Sequence, residues 1–325
     1  MQTYSTNTQN KKTKTLISFI ITFYNESIDM LQECIDSIYN ISLDKKEREI
    51  ILINDGSEIN PTPLLNKNTN IRYYKQKNMG VSQARNTGVN LATGKYIQFI
   101  DADDFLIVPA YNTIINILKV KKPNILFFRF TNNEKKYKIR SSYKHTNLGA
   151  EYMYKNNIRA SVCTYLVKQE LAKNILFTKG IDYCEDEEFT AKLILKANNI
   201  IDTLTVAYFY REHPKSCTHK TDREHVSKRF NNMLEVIISL NKLQPKNKLK
   251  QKAIKRRINQ LTMDFIFNLM LINNDTTVTE NYIKKLTKLK LFPLPKKNYT
   301  LKYFIFRITT NTKLFRNILT KILHK

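Results

Sequence analysis

The 325-residue sequence contains little glycine, no tryptophan and no long apolar run. Six glycines and eight prolines exclude a collagen-like or linker-dominated chain, and no internal repeat is visible. No stretch approaches the roughly 18 apolar residues that a membrane-spanning helix requires. With 42% hydrophobic and 25% charged residues, the composition is that of a folded protein with one large domain and an appendage, or with two domains.

Cysteine is also scarce, and its spacing excludes two classes of small protein. The four cysteines are Cys34, Cys163, Cys184 and Cys217. They form no C-x-x-C pair, which argues against a zinc ribbon or a disulfide scaffold and favours a reducing, cytoplasmic setting. Lysines precede the apolar run at 16–23, as in a signal peptide, but the run is short and no small-x-small cleavage site follows. We therefore expect no export and a flexible tail over residues 1–14.

Positive charge is concentrated toward the C-terminal end of the sequence. The whole chain has 54 Lys+Arg against 28 Asp+Glu, a formal net charge of +26. Residues 241–325 alone carry 20 basic and 3 acidic side chains, and no acidic residue follows Glu280. This asymmetry indicates an anionic partner, either a membrane surface or a nucleic acid.

The apolar pattern of residues 301–325 helps to choose between these partners. Apolar residues recur there at helical spacing, interrupted at 309–312, with lysines and arginines between them. A basic amphipathic helix of this kind can lie in the headgroup layer of an anionic bilayer. A helix packed on the body of the protein with a solvated basic face is the alternative. We favour peripheral association with an anionic membrane surface and expect no nucleic acid as partner.

Strand-length apolar runs alternate with helical spacing in the first part of the chain. The predicted strands cover residues 16–23, 49–53, 71–74, 95–100, 124–130 and 200–210, and the predicted helices cover 28–39, 81–91, 109–120 and 187–197. Unbroken apolar strands separated by helices indicate a mainly parallel α/β sheet that is covered on both faces. Beyond residue 225 the apolar spacing is helical almost throughout, which predicts a C-terminal helical appendage.

Polar segments follow three of these strands, at residues 22–26, 54–57 and 101–104. Because ligands bind at the carboxyl ends of the strands in such sheets, we expect the three segments to meet at one edge. The last reads Asp-Ala-Asp-Asp, and its carboxylates repel one another unless a cation or hydrogen bonds separate them. A divalent ion that also binds diphosphate oxygens would do so. The alternative is a turn in which Asp103 or Asp104 caps the next helix.

An aromatic ring and a carboxylate stand at the same predicted edge. Tyr24 could stack on a base such as uracil while Asp55 accepts its hydrogen bonds, and Arg85 could pair with Asp55 or with a phosphate. After the last predicted strand, Arg211 could meet a phosphate, and His213 could meet a phosphate or ligate the metal.

A second acidic cluster lies at residues 182–188. Carboxylates crowded by other carboxylates have raised pKa values, which suits a general base. The alternative is an acidic first turn that complements the dipole of a helix. The residues by themselves leave both interpretations open.

Seven segments together resemble the family 2 glycosyltransferases of the GT-A fold. They are IITFYN at 20–25, INDGS at 53–57, GVSQARNTG at 80–88, GKYI at 94–97, FIDADD at 99–104, GIDYCEDEEF at 180–189 and YREHPKS at 210–216. The resemblance implies a mixed, mainly parallel sheet between helices over residues 15–217, followed by a basic helical region over 218–325. Asn54 stands where a second Asp is common in the family.

The resemblance also implies an activity and a role for each matching residue. Such enzymes transfer a sugar from a nucleotide diphosphosugar, usually a UDP-sugar with Mn²⁺ or Mg²⁺, and invert the anomeric centre. By match, Asp186 is the general base, Asp103 ligates the metal, and Arg211 and His213 close over the diphosphate; His213 is also a candidate second ligand of the metal. The donor-binding set is Thr22, Tyr24, Glu26, Asp55, Arg85, Asp101 and Arg211.

The acceptor implied by the resemblance is a hydroxyl of a glycan or lipid-linked glycan, in capsule or lipopolysaccharide synthesis at the inner face of the cell membrane. One alternative is a nucleotidyltransferase on a related sheet, which would need a glycine-rich phosphate loop where residues 22–26 contain no glycine. The other is a non-catalytic nucleic-acid binder, which would leave the two acidic clusters unexplained.

Overall fold

The structure is a computed structural model that describes residues 15–67, 70–212, 222–272, 276–297 and 299–323. The predicted tail over 1–14 and the predicted ligand His213 lie outside the described residues. Among the residues that are described, no helix is long and apolar enough to cross a bilayer.

A single nine-stranded sheet forms the centre of the fold. Its strands are β1 (Ile17–Phe23), β2 (Arg48–Asp55), β3 (Ile71–Gln76), β4 (Tyr96–Asp101), β5 (Phe105–Leu106), β6 (Ile125–Thr131), β7 (Tyr143–Thr146), β8 (Tyr165–Lys168) and β9 (Ile200–Phe209). The order is β3-β2-β1-β4-β8-β6-β9-β5, and β7 pairs with β9. Strands β3, β2, β1 and β4 are parallel, whereas β8 is antiparallel to both of its neighbours. The predicted mixed, mainly parallel sheet is confirmed.

Helices flank the sheet and then continue alone to the end of the described chain. They are α1 (Ile28–Tyr39), α2 (Thr62–Lys67), α3 (Val81–Leu91), α4 (Val108–Lys121), α5 (Gly149–Lys155), α6 (Gln169–Ala172), α7 (Glu185–Lys196), α8 (Arg223–Asn241), α9 (Lys248–Ile272), α10 (Thr276–Lys288), α11 (Leu301–Asn311) and α12 (Lys313–Leu323). Helix α1 shows why the sequence folds in this way: Ser27 accepts from the backbone N–H of Met30 at its start, and Leu31, Ile35 and Ile38 bury one stripe.

The register of the central strands fixes the geometry of the edge. Thr22 pairs with Ile53 on one side and with Asp101 on the other, and Phe23 pairs with Asn54. The ends of β1, β2 and β4 therefore lie side by side, as expected for parallel strands in register. This places the three polar segments next to one another.

Helices α8 and α9 pack against α7, the helix that begins with the second acidic cluster. Arg257 of α9 forms an ion pair with Glu187, and Ser239 of α8 donates to Glu188. Just before α7, Asp182 pairs with Lys228 of α8 at 2.5 Å. The C-terminal helices therefore hold α7 through two of its own acidic residues and through Asp182, which precedes it.

Candidate active site

The loop that follows β1 is tied to the loop that follows β2. Asn25 adopts a left-handed backbone conformation, with φ of 70°, which asparagine tolerates better than most residues. Its N–H donates to the Ser57 hydroxyl at 3.1 Å, and that hydroxyl donates back to the Asn25 side-chain oxygen at 3.0 Å. With the loop held by these two hydrogen bonds, Tyr24 is half-exposed beside the edge of the sheet. Tyr24 is thus an accessible aromatic face on an anchored loop.

Asp55, the last residue of β2, is buried and accepts three hydrogen bonds. Oδ1 accepts from Gln76 Nε2 at 2.8 Å and from the N–H of Met79 at 3.0 Å, and Oδ2 accepts from the N–H of Gly80 at 2.9 Å. Gly80 has a positive φ of 84°, and a Cβ there would lie 2.4 Å from Asp182 Oδ1, so the close approach requires glycine. Asp55 therefore also fixes the loop between β3 and α3.

Asn54 has a structural role in the turn after β2. Its side-chain oxygen accepts from the N–H of Ser57 at 2.7 Å, and its Nδ2 donates to the hydroxyl of Tyr73 at 3.0 Å. Because both ends of the buried amide are used, asparagine suits this position, whereas an ionised Asp could not donate.

The Asp-Ala-Asp-Asp segment does not cap the next helix. The N-cap position of α4 is Ile107, so the capping alternative is wrong. Instead, buried Asp104 accepts from the Tyr208 hydroxyl at 2.7 Å and from the N–H of Arg211 at 2.8 Å. Burial and the charges of Asp101 and Asp103 raise the pKa of Asp104 to about 8. The segment therefore concentrates negative charge at the edge of the sheet.

Glu26 lies close to the carboxylates of the Asp-Ala-Asp-Asp segment. Its carboxylate accepts from the N–H of Tyr24 at 2.5 Å. Burial, and then the charges of Asp103 and Asp101, raise the pKa of Glu26 above its usual value, although two backbone hydrogen bonds act in the opposite direction. The loop after β1 and the segment after β4 thus share one electrostatic environment.

Arg85 joins the strand edge to the start of α7. The sequence suggested Asp55 or a phosphate as its partner, but the buried guanidinium binds three other carboxylates. Nη1 donates to Glu185 at 2.7 Å and to Asp186 at 2.8 Å, and Nη2 donates to Asp101 at 3.1 Å. The second acidic cluster therefore converges on the edge of the sheet, although 85 positions of sequence separate Asp101 from Asp186.

The members of the second acidic cluster are not equivalent. Asp186 keeps 24% of its side chain exposed, whereas Glu185 keeps only 11%. Burial and the charge of Asp186 raise the pKa of Glu185 to about 8. Burial also raises the pKa of Asp186, while Arg85 and the backbone N–H of Val162 lower it. Asp186 is therefore the accessible carboxylate of the pair, with a pKa shifted toward that of a general base.

Arg211 lies across the Asp-Ala-Asp-Asp segment. Its Nε donates to the backbone oxygen of Asp103 at 2.8 Å, and its guanidinium forms an ion pair with Glu33. The guanidinium also lies 5.7 Å from the ring centre of Phe105. The positive charge of Arg211 is thus held beside the acidic segment. The ion pair between Arg211 and Glu33 is partly exposed.

The carboxylate oxygens of the Asp-Ala-Asp-Asp segment suit a hard cation that is bound together with a substrate. Asp101, Asp103 and Asp104 lie within four residues of one another. Burial, and then the charges of Asp101 and Asp103, disfavour ionisation of Asp104. Within the described residues, no three His, Cys, Asp or Glu side chains form a ready-made metal cage. A metal at Asp103 would therefore need further oxygen ligands from a diphosphate and water, which hard cations accept.

Sequence analysis missed two groups beside the site. Cys163 is buried and donates from Sγ to Asp101 Oδ2 at 3.1 Å, and the N–H of Val162 donates to Asp186 Oδ2 at 3.1 Å. Both lie in a short 3₁₀ helix, Val162–Thr164. No motif marks them, because a lone cysteine and a backbone amide have no periodic signal; only the folded chain brings them to the carboxylates.

This chain has the GT-A fold of glycosyltransferase structures, with its polar segments at the carboxyl edge of the sheet. The crystal structure of S. aureus TarS residues 1–349 in complex with UDP-GlcNAc superposes with a TM-score of 0.69, at 16% sequence identity, over 94% of this chain and 89% of that one. At the level of sequence, the model of glycosyl transferase family 2 matches residues 18–182, which is 165 of the 325 residues. The chain belongs to glycosyltransferase family 2.

Two curated relatives show how much of the chain is shared. A Bacillus subtilis protein described as uncharacterized glycosyltransferase EpsJ is 27% identical over 242 residues, covering 66% of this chain and 67% of its own length. The poly(ribitol-phosphate) beta-glucosyltransferase of Bacillus spizizenii is 29% identical over 261 residues, covering 73% of this chain. The match spans only 39% of the length of that second enzyme.

Proposed function

We propose that this protein is an inverting glycosyltransferase that moves a sugar from a UDP-sugar to a hydroxyl of a glycan or lipid-linked glycan. The observation that carries the proposal is the contact of Arg85 with Asp101 at the end of β4 and with Asp186 at the start of α7. We infer that Arg85 holds the proposed general base, Asp186, close to the strand end where the donor is proposed to bind. Membership of family 2 supports the activity.

The donor is proposed to bind along the edge formed by β1, β2 and β4. Tyr24 would stack on the base, Thr22 and Asp55 would hold the nucleoside, and Asp101 would approach the ribose. Glu26 and Arg211 would complete the set near the diphosphate. A UDP-sugar is the preferred donor, because TarS, which shares the fold, was crystallised with UDP-GlcNAc.

A divalent metal, Mn²⁺ or Mg²⁺, would be held by Asp103, and His213 is the second proposed ligand. Repulsion among Asp101, Asp103 and Asp104 supports a cation at this position. When bound, the metal would neutralise charge that develops on the leaving diphosphate. Arg211, anchored to the backbone oxygen of Asp103, would add a second positive charge at the same end.

The reaction would be one in-line displacement at the anomeric carbon. The acceptor oxygen forms a bond to this carbon as the bond to the phosphate oxygen breaks, and the nucleoside diphosphate leaves with the electron pair. Asp186 takes the proton of the acceptor hydroxyl. Val162 and Arg85 orient the carboxylate of Asp186 through hydrogen bonds of 3.1 and 2.8 Å. A single displacement inverts the anomeric configuration.

The proposed setting is the inner, cytoplasmic face of the cell membrane, where lipid-linked acceptors are presented. The named activity of the Bacillus spizizenii relative, on poly(ribitol phosphate), supports a cell-surface glycan as the acceptor class. The excess of basic residues after position 240 supports attraction to an anionic membrane.

Release of nucleotide diphosphate from a panel of sugar nucleotides tests the proposal. The reactions are run with Mn²⁺ and with chelator, on the wild-type protein and on Asp103→Asn. We expect metal-dependent hydrolysis of one UDP-sugar that is lost in the variant. Hydrolysis that survives in both chelator and Asp103→Asn would contradict the metal assignment. Failure of the wild-type protein to bind or hydrolyse any sugar nucleotide would contradict the proposed function.

A further inference from the structure

The last two helices, α11 and α12, each turn an apolar stripe outward, and α12 also turns polar side chains inward. On α12 the buried side chains are Arg316 and Thr320. Arg316 forms hydrogen bonds of 2.9 Å from Nε and from Nη2 to Glu280 of α10 and donates from Nη1 to the backbone oxygen of Thr310 at 2.6 Å. These contacts fix the rotation of α12, because turning the helix would remove a buried guanidinium from its carboxylate.

The outward stripe of α12 consists of large apolar side chains. It is formed by Leu314, Phe315, Ile318 and Ile322. Leu314 is 65% and Ile322 is 60% exposed, and the spacing i, i+1, i+4, i+8 places all four on one side of the helix. Lys313 and Lys321 are exposed beside them. A surface helix in water normally keeps such large apolar side chains off its solvent-facing side.

Helix α11 also turns an apolar stripe outward, while two aromatic side chains on its other side are buried in the core. Its buried residues are Tyr303, Phe306 and Thr310. Its exposed apolar residues, Leu301, Phe304, Ile305 and Ile308, recur at i, i+3, i+4 and i+7 and therefore share one side. Helices α11 and α12 contact each other. Two neighbouring helices thus each present an apolar stripe outward, which marks a binding surface.

The charge on these helices selects the partner. No acidic residue follows Glu280 in the sequence, whereas twelve lysines and arginines do. A second copy of the chain would bring like charges together across the contact, with no carboxylate from these helices to neutralise them. An anionic bilayer offers both an apolar layer for the stripes and phosphate groups for the lysines.

We propose that the apolar stripes of α11 and α12 insert into the headgroup layer of an anionic membrane. The protein lies on the bilayer surface, since no described helix is long and apolar enough to span it. This inference names the surface used by the membrane association that is part of the proposed function, and it rests on that function for its purpose.

Flotation with vesicles tests the inference on the full-length protein. The vesicles contain phosphatidylcholine alone or phosphatidylcholine mixed with phosphatidylglycerol. We expect binding to the mixed vesicles only, weakened by salt, and at least about tenfold weaker binding for Phe315→Ser/Ile318→Ser. The matched control is Val120→Ser/Leu204→Ser, which removes two exposed apolar side chains elsewhere and should bind as the wild type does.

Two outcomes would overturn the inference. One is absence of binding to the mixed vesicles, or binding that is unchanged in Phe315→Ser/Ile318→Ser. The other is a dimer in sedimentation velocity that this variant abolishes, because a second copy would then cover the stripes. Donor hydrolysis without vesicles, measured on the same variants, should be unchanged, so that loss of membrane binding and loss of catalysis can be distinguished.

Discussion

Arg85 Nη1 lies 2.8 Å from Asp186 Oδ1, and this contact joins residues that are 101 positions apart in sequence. The same guanidinium binds Glu185 and Asp101, so one positive charge is shared among three carboxylates. Burial, and then the charges of neighbouring carboxylates, raise the pKa values of both Glu185 and Asp186. The protonation state of the proposed base therefore depends on Arg85.

Replacing Arg85 should move the pH dependence of sugar transfer. Arg85 lowers the pKa of Asp186, so Arg85→Gln raises that pKa and the base loses its proton only at a higher pH. We expect the acidic limb of the rate profile to shift to higher pH, and Arg85→Lys to shift it less. A uniform fall in rate at every pH, with the limb unmoved, would show that Arg85 only supports the fold.

Replacing Tyr24 should weaken nucleotide binding without unfolding the protein. If its ring stacks on the base, Tyr24→Ala should bind UDP about 10- to 100-fold more weakly, whereas Tyr24→Phe should bind nearly as the wild type does. Because Tyr24 is half-exposed, thermal stability should change little in either variant. Equal affinities of the Ala and Phe variants, measured by titration calorimetry, would place the base elsewhere.

Asp104 should make the stability of the folded protein fall as the pH rises. Its pKa is 3.8 without perturbation and about 8 in the folded state, so between these values the folded state holds a proton that the unfolded state has lost. The stabilisation that protonated Asp104 contributes is therefore complete below pH 3.8. It is lost as the pH rises toward 8, by at most about 1.4 kcal/mol per pH unit.

Asp104→Asn removes that titration while it keeps an acceptor for a hydrogen bond. We expect the melting temperature of the variant to rise relative to that of the wild type as the pH increases from 5 to 8. Parallel curves across this range would mean that Asp104 is ionised at neutral pH in the folded protein.

The pair of Arg257 and Glu187 should hold α7 against the C-terminal helices. Arg257 is 6% exposed and Glu187 is 26% exposed, so the two single changes leave different groups unpaired. Burial lowers the pKa of Arg257 to about 10, and Glu187→Gln, which strands that guanidinium, should cost about 3 kcal/mol. Arg257→Met should cost less because Glu187 can be hydrated.

A double-mutant cycle measured by urea unfolding checks this pair. The variant that carries both changes should be more stable than Glu187→Gln alone, because the buried guanidinium that lost its partner is also removed. If the two effects simply add, the side chains do not interact and α7 is held by other contacts.

The parallel half of the sheet follows from local signals in the sequence. Apolar runs mark β1, β2 and β4, and the rule that parallel strands end at one edge places Asp55 near Asp101 without reference to distant residues. The sequence does not predict strands β5, β7 and β8. They are two to four residues long and are defined by pairing, β5 and β7 with β9, and β8 with β4 and β6.

The remaining differences also arise from contacts that are distant in sequence. Spacing alone could not show that Arg85 pairs with Asp186 and not with Asp55. Amphipathic spacing at the C-terminus predicts a helix, but the outward direction of its apolar stripe depends on the buried pair between Arg316 and Glu280. The backbone N–H of Val162, which donates to Asp186, has no side-chain signal at all.

The most direct test of the proposed mechanism compares binding and turnover in two carboxylate variants. UDP affinity and the rate of sugar transfer are measured for the wild type, Asp186→Asn and Glu185→Gln, with the donor that the panel identifies. Asp186→Asn should bind UDP within about twofold of the wild type and transfer sugar about 10² to 10⁴ times more slowly. Glu185→Gln should retain most of the rate. Transfer by Asp186→Asn at the wild-type rate, or loss in Glu185→Gln alone, would contradict the assignment of Asp186 as the base.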